Sequence, residues 1–407
     1  MKKQTDHKAR PGPLAGVRVI DTTSVLFGPY CTQLLGDLGA DIVKVEGLDG
    51  DTVRGAGVGR SPNMSGVFMG TNRNKRSISI DMKTPSGKQV MLDLLKNADV
   101  FVTNIRRKAL VRLGLDYLSL FQSNPALIHC SALGYGRGGA YEDRPAFDDT
   151  TQAISGLASL QEAMNGVPSY VATAAADKIS GLTLALAIVA AIRHKDLTGE
   201  GQQVEVPMFE TMVAFNMVEH LAGRIFDPPT GPAMYARTIS KYRKPYRTSN
   251  GFMAVMPYND AQWGRFFKLI GKPDLISDPR FSTMASRTEN VDPLYSLLEE
   301  EVSKRSTEWW SESLEREDIP AVPVKSIDDL LADEHLQQRN FFTRFDHPTE
   351  GTLINISSPI EMSKSPLTVR RHAPKLGQDT REILTEIGYD QARLESLLRD
   401  GVIKESH

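Results

Sequence analysis

The chain has 407 residues, 40% of them hydrophobic and 24% charged, with a formal net charge of -2. That is enough for two or three domains with a large core, and it argues against a nucleic-acid binder with a broad basic face. Two cysteines, Cys31 and Cys130, and eight histidines without HExxH or Cys/His clustering exclude a disulfide scaffold, predict no metal site, and fit a reducing, cytoplasmic setting.

The opening MKKQTDHKARPGP has two lysines but no apolar segment behind them, so it reads as a frayed tail and not as a signal peptide. VRVID (17–21) reads as a buried strand. Gly28-Pro29 opens a helix with Pro at the first position, Leu34, Leu35 and Leu38 give it an apolar stripe, and Gly39 closes it. DIVKVE (41–46) is the next strand, which completes a βαβ unit. The alternation continues with SISIDM (77–82), a helix after Thr84-Pro85 carrying Val90, Met91, Leu94 and Leu95, then VFVTN (100–104) and LIHCSAL (127–133). An open, mostly parallel α/β sheet is the expected fold, with ligands at the carboxyl ends of its strands. Those ends are 21–25, 46–47, 104–106 and 133–135.

Residues 47–66 and 134–145 read as loops. GYGRGG (134–139) matches GxGxxG, but Glu142, Asp143 and Pro145 follow where a dinucleotide fingerprint needs a helix, so a mobile loop is expected. The run from Gly55 to Ser61 has the wrong spacing for a phosphate-binding loop, and Arg stands for its Lys.

In VATAAADKISGLTLALAIVAAIR (171–193), Asp177 ends a run of small residues and opens a long apolar helix. Ile179, Leu182, Leu184, Leu186, Ile188, Val189 and Ile192 leave almost no polar face, which predicts burial on most sides. The apolar run Gly181 to Ile192 is too short to span a bilayer. Asp177 is either an N-cap or a nucleophilic or basic carboxylate kept ionised by orphan N–H groups and the helix dipole. No GxSxG elbow competes with it as a nucleophile.

Beyond it, GQQVEVPMFE runs from a strand into a helix at 209–223. Residues 227–245, with four prolines and a basic cluster, read as a linker. A small α/β segment follows: strand 252–256, helices near 260–270 and 291–304, a helix at Trp309-Trp310 with core tryptophans, and strand 321–324. The expected division is 1–225 with 326–407 as the large domain, ending in helices 378–387 and 390–399, and 226–325 as the small one. Two basic groups, Arg73, Lys75 and Arg76, and Arg106, Arg107, Lys108 and Arg112, lie near strand ends. Each is a solvated face or an anion site for a phosphate-rich cofactor.

PLAGVRVIDTT, GPYCTQLLGDLGADIVKVE, NRNKRSISIDMK, ADVFVTN, RLGL, PAFDD and ATAAADKISGL come in order. Together they resemble the class III CoA-transferases, which include the formyl-CoA and carnitine CoA-transferases and, more distantly, the α-methylacyl-CoA racemases. The likeness runs from about Leu14 to Leu384. It implies a Rossmann-like large domain built from both chain ends, a small α/β domain, and an interlocked homodimer, with no membrane or nucleic-acid partner. The family's catalytic aspartate falls on Asp177. The CoA contacts fall on Val25 and Leu26, on Ile80 to Lys83, on Asn104, Ile105 and Arg106, on Arg112, and on Ala146, Phe147 and Asp148. Arg73 and Lys75 would serve as further cofactor contacts. CoA and acyl-CoA are substrates, and no tightly bound cofactor is implied.

The activity implied is transfer of CoA from an acyl-CoA to a carboxylic acid through a mixed anhydride and an aspartyl-CoA thioester. An ordinary Asp pKa near 3.9 would keep Asp177 ionised at neutral pH, and the Gly-rich loops would offer backbone N–H groups and a lid. A racemase or epimerase, or a CoA-binding protein without chemistry, is the alternative. Phe147 stands where the racemases carry a catalytic His, and a phenyl ring moves no proton. Gly47 replaces an arginine of the formyl-CoA transferases, with Lys44 or Arg54 as its expected substitutes. The glycine run of those enzymes is missing near 230–250, which disfavours formyl-CoA or oxalate. Small dicarboxyl-CoA donors such as succinyl-CoA are expected instead, with Arg237, Lys241 or Arg243 on the distal carboxylate.

Overall fold

The computed structural model describes residues 12–406. The expected frayed tail falls largely on residues 1–11, outside the described residues. By its internal contacts the chain forms two compact units. One takes the residues up to Thr151, Ala174–Met212 and those from Gln338 on, and the other takes Gln152–Thr173 and Val213–Gln337.

The first unit is built on a seven-stranded sheet. Its strands are β1 (Arg18–Asp21), β2 (Asp41–Glu46), β3 (Lys75–Ile80), β4 (Val100–Thr103), β5 (Ile128–Leu133) and β6 (Gln203–Pro207), in the order 3-2-1-4-5-6. All five neighbouring pairs among them are parallel. This is a mixed α/β fold with a large parallel sheet. The strands are short β-branched runs enclosed on both faces, and every residue of β3 and β4 is buried. A seventh strand, Ile403–Lys404, adds antiparallel to β3. It was not read from the sequence, since two residues carry no periodicity.

The turn from β1 into helix α1 (Phe27–Asp37) is tight. A Cβ on Gly28 would lie 2.3 Å from the Thr23 Cβ. Gly39 closes α1 at φ +110°, a backbone setting that glycine adopts without strain. On one side of the sheet the helix Pro85–Lys96, capped by the Thr84 hydroxyl, packs with Thr380–Glu386 and Gln391–Arg399. Val90, Met91, Leu94, Ile383, Leu384, Leu394 and Leu397 share one core with strand residues Ile20, Val43 and Ile78. Periodicity at 3.6 residues had marked these helices.

Three readings change. The 47–66 loop contains a 3-10 turn, Thr52–Gly55, and ends at a short helix, Gly66–Thr71. Phe342–His347 and Gly351–Ile356 form an antiparallel hairpin that the sequence did not suggest. The long helix, Ala175–Thr198, is not buried on most sides: Leu182 is 51% and Leu186 71% exposed. Its 24 residues are long and apolar enough to cross a bilayer by length and composition. Half of its most apolar window is buried within the fold, as in a core helix.

The second unit holds a three-stranded antiparallel sheet of Tyr246–Arg247, Phe252–Val255 and Ala321–Pro323. Trp263, Phe266, Phe267, Leu294, Leu298 and Trp310 form its core. Trp310 donates its indole N–H to the Val302 carbonyl, while Trp309 stays 37% exposed. Residues 227–245, read as a linker, fall inside this unit.

Candidate active site

In a parallel sheet of order 3-2-1-4-5-6 the chain leaves β1 and β4 in opposite directions, and a crevice opens beyond their carboxyl ends. A cavity of about 280 Å³ lies there. Ser24, Val25 and Phe27 line it from the segment after β1, Asn104 to Arg107 from that after β4, and Leu133 to Tyr135 from that after β5. Pro145, Ala146, Phe147, Met208 and Asp177 complete its wall.

The floor of this cavity is held in an uncommon backbone setting. Val25 has φ +72°, which costs a β-branched residue strain unless the surroundings fix it. They do. The Asn104 side chain accepts from the Ser24 N–H and donates to the Ser24 carbonyl, and Val25 N–H donates to Asp51. Asp51 is in turn held by Lys44 at 2.9 Å, and Lys44 also donates to the Thr23 carbonyl.

Asp177 lies in the first turn of Ala175–Thr198 and is 8% exposed. It is not the N-cap. That position is Ala174, which has no capping side chain. The Asp177 N–H instead donates to Asp148 Oδ1 at 2.9 Å. Burial pushes the Asp177 carboxyl up, and the neighbouring Asp148 and Asp149 push it further, to about 7. The expectation of an ordinary carboxylate near 3.9 is therefore corrected: burial and two neighbouring acids favour its protonated form. Helix position alone does not offset two acids and desolvation, because the helix end is partly neutralised by Asp148 itself.

The rim is basic but balanced. Arg107 pairs with Glu142, Lys108 with Asp143 and Arg137 with Glu205, and Arg144 lies over the Tyr141 ring. The GYGRGG segment is tied down, not loose. Gly136 N–H donates to Glu210 and Gly138 N–H to Glu142, so two amides expected to serve a ligand are already in use. Its glycines allow close approach: a Cβ on Gly134 would fall 2.5 Å from that of Ala146, and one on Gly136 2.6 Å from the Glu210 carboxylate.

The sequence profile described as CoA-transferase family III matches residues 14–380. The chain belongs to that family. Family III members transfer CoA between an acyl-CoA and a carboxylic acid, and this chain is such a CoA-transferase. It is 35% identical to the succinate–glutarate CoA-transferase of Agrobacterium fabrum, over 94% of this chain and 98% of that one. It is 31% identical to the succinyl-CoA:glutarate CoA-transferase of Mus musculus, over 97% of this chain and 91% of the other. Among solved structures, a CAIB/BAIF family protein from Brucella suis aligns with a TM-score of 0.79 at 29% identity, covering 93% of this chain and all of that one.

Of the residues matched to the family's CoA and catalytic positions, the fold brings Val25, Asn104, Ile105, Arg106, Ala146, Phe147 and Asp177 to one cavity. Asp148 is joined to it through the Asp177 amide. The others lie apart from its wall. Leu26 is half-buried, Ile80 is buried in β3, and Lys83 and Arg112 are exposed. Lys75 is enclosed, with Nζ on Asp21, Asn72 and the Pro29 carbonyl. Arg73 is bound to Asp37 and to the Ile356 carbonyl. The expected substitutes for the missing arginine at Gly47 are internal too. Lys44 is held by Asp51, and Arg54 pairs with Glu46 and donates to the Pro374 carbonyl. A carboxylate claims each of these cations, 7 or 8 residues away for Lys44 and Arg54 and 36 or 54 away for Arg73 and Lys75. The sequence reading missed Asp51, whose only signal was its acid next to a predicted strand end.

Proposed function

We propose that this family III enzyme moves CoA through covalent intermediates on Asp177, with a small dicarboxyl-CoA such as succinyl-CoA as donor and CoA laid over the loops after β1 and β4. The observation that carries it is the Asp177 carboxyl, buried beside Asp148 and Asp149 and lining the cavity at the sheet's switch point. That the Agrobacterium relative is a succinate–glutarate CoA-transferase and the mouse relative a succinyl-CoA:glutarate CoA-transferase supports the donor class. Phe147, 65% exposed on the cavity wall, offers no second base for racemisation.

The ionised Asp177 attacks the thioester carbonyl, CoA thiolate leaves, and an acyl-aspartyl anhydride forms. Thiolate then attacks the aspartyl carbon and expels the donor acid, which leaves an aspartyl-CoA thioester. The acceptor carboxylate attacks that carbon, expels CoA thiolate and forms a second anhydride, and thiolate then attacks the acceptor's carbonyl, which yields the new acyl-CoA and releases the Asp177 carboxylate. Each step exchanges one acyl bond for another, and no net proton is needed. A carboxylate basic enough to titrate near 7 is a stronger nucleophile than an ordinary one, at the cost of protonation below neutrality. The working species proposed is the family's homodimer, in which a second copy would cover the exposed Leu182 and Leu186.

Wild-type enzyme incubated with succinyl-CoA and quenched with hydroxylamine should carry a hydroxamate on Asp177, read by peptide mass spectrometry. The Asp177→Ala enzyme should carry none. Full CoA exchange in Asp177→Ala would overturn the reading, and deuterium entering Cα without an acceptor acid would turn it toward a racemase.

A further inference from the structure

Asp148 was expected to touch CoA, and in the fold it accepts a hydrogen bond from the Asp177 backbone. The helix Ala175–Thr198 starts on Ala174, among the poorest capping residues, and none of its own side chains accepts from its first amides. Asp148, the first residue of the helix Asp148–Ile154, supplies that acceptor from 29 positions away. Its Oδ1 lies 2.9 Å from the Asp177 nitrogen, so the acid that caps the helix also stands beside the acid that reacts.

We infer that Asp148 is a positioning residue for the transfer reaction, fixing the Asp177 backbone by a hydrogen bond and setting a like charge beside its carboxylate. This rests on the covalent reading above. The two effects have one source but separate consequences. The hydrogen bond needs only an oxygen, which Asn also has. The raised basicity needs a negative charge, which Asn lacks. Burial first, and then Asp148 ahead of Asp149, lift the Asp177 carboxyl, in keeping with this assignment. The other charged side chains around the cavity are Arg106, Arg107, Arg137, Arg144, Glu142 and Asp143. Three of the four arginines have partners of their own, Glu142 for Arg107, Glu205 for Arg137 and the Tyr141 ring for Arg144.

The test is the pH profile of kcat/KM for CoA exchange in the full-length enzyme, compared with Asp148→Asn and Asp148→Ala. In Asp148→Asn the acid limb should move down by about one pH unit, because a like charge next to the titrating group has been removed. Asp148→Asn should then outpace the wild type below pH 6 and fall behind it above pH 8, where the less basic carboxylate is the slower nucleophile. Asp148→Ala should share the shifted limb and lose about a further tenfold at every pH, since the amide loses its acceptor. An Asp148→Asn limb that superimposes on the wild type overturns the inference, whether or not Asp148→Ala folds. Hydroxylamine trapping on the wild type separates the two failures. An adduct on Asp177 with an unmoved limb sinks only the role of Asp148, and no adduct sinks the covalent reading with it.

Discussion

Asp21 and Asp177 are both buried carboxylates of the same unit, and their surroundings are opposite. Asp21, at the end of β1, is 0% exposed. It accepts from the Thr23 N–H at 2.8 Å and from the Thr23 and Thr32 hydroxyls, and it faces Lys75 at 3.2 Å. Burial works against its ionisation, but Lys75, Lys44 and the threonines outweigh burial and hold it below the usual carboxylate range. Asp177 has burial and two acids, and its carboxyl rises to about 7. Burial alone thus does not mark a reactive carboxylate. What sets Asp177 apart is burial beside two acids, on the wall of a cavity that a ligand can enter, which is what the proposed role needs.

The comparison is sharpened most by deleting each acid. Asp177→Ala should lower CoA exchange by about a thousandfold or more and leave a folded protein, as loss of a covalent nucleophile does. Steady-state assay beside a circular dichroism melt checks both halves. Asp21→Asn should do the reverse. It strands Lys75, which burial already holds down to about 8, inside the fold. The loss should be about 3–5 kcal/mol in denaturant unfolding. If Asp21→Asn melts like the wild type, Asp21 is no more structural than Asp177 and the contrast fails.

The stability effect of Asp177 itself has a defined sign. Its folded pKa lies above its unfolded one, so the folded state binds the proton more tightly between about pH 4 and 7. That stabilisation is complete below the unfolded pKa and is lost as pH rises through 7. Asp177→Asn should therefore stabilise the protein by on the order of 2–4 kcal/mol at pH 8 and by little at pH 4. Paired thermal melts at the two pH values read this directly, and an equal shift at both would contradict it.

The smallest expected effects carry the contrast over to the cations. Arg106, exposed on the cavity wall, should on change to Ala raise KM for acyl-CoA about tenfold with kcat nearly unchanged. Arg73, bound to Asp37 and the Ile356 carbonyl, should on the same change leave KM alone and cost about 1–3 kcal/mol of stability. A KM effect from Arg73→Ala would restore it as a cofactor contact.

The sequence by itself determined the alternation of strands and helices, the parallel α/β class, three of the four strand ends named as bordering a ligand (46–47 does not line the cavity), and the place of Asp177 at a helix start. All of these follow from hydrophobic periods of 2 and 3.6 residues and from the chemistry of Gly and Pro, which act over a few positions. DIVKVE begins and ends in the structure where its pattern does. Only the tertiary structure decided which charges were already satisfied. Arg73, Lys75, Lys44 and Arg54 read like Arg106 until Asp37, Asp21, Asp51 and Glu46 are brought against them. It also decided that Asp148 and not Ala174 accepts from the first turn of the Ala175–Thr198 helix, and that two residues near the chain's end complete the sheet beside β3. Charge compensation is set by where side chains end up in space, 7 or 8 residues apart for two of these pairs and 36 or 54 for the others, and neither the period of 2 nor that of 3.6 encodes such a pairing.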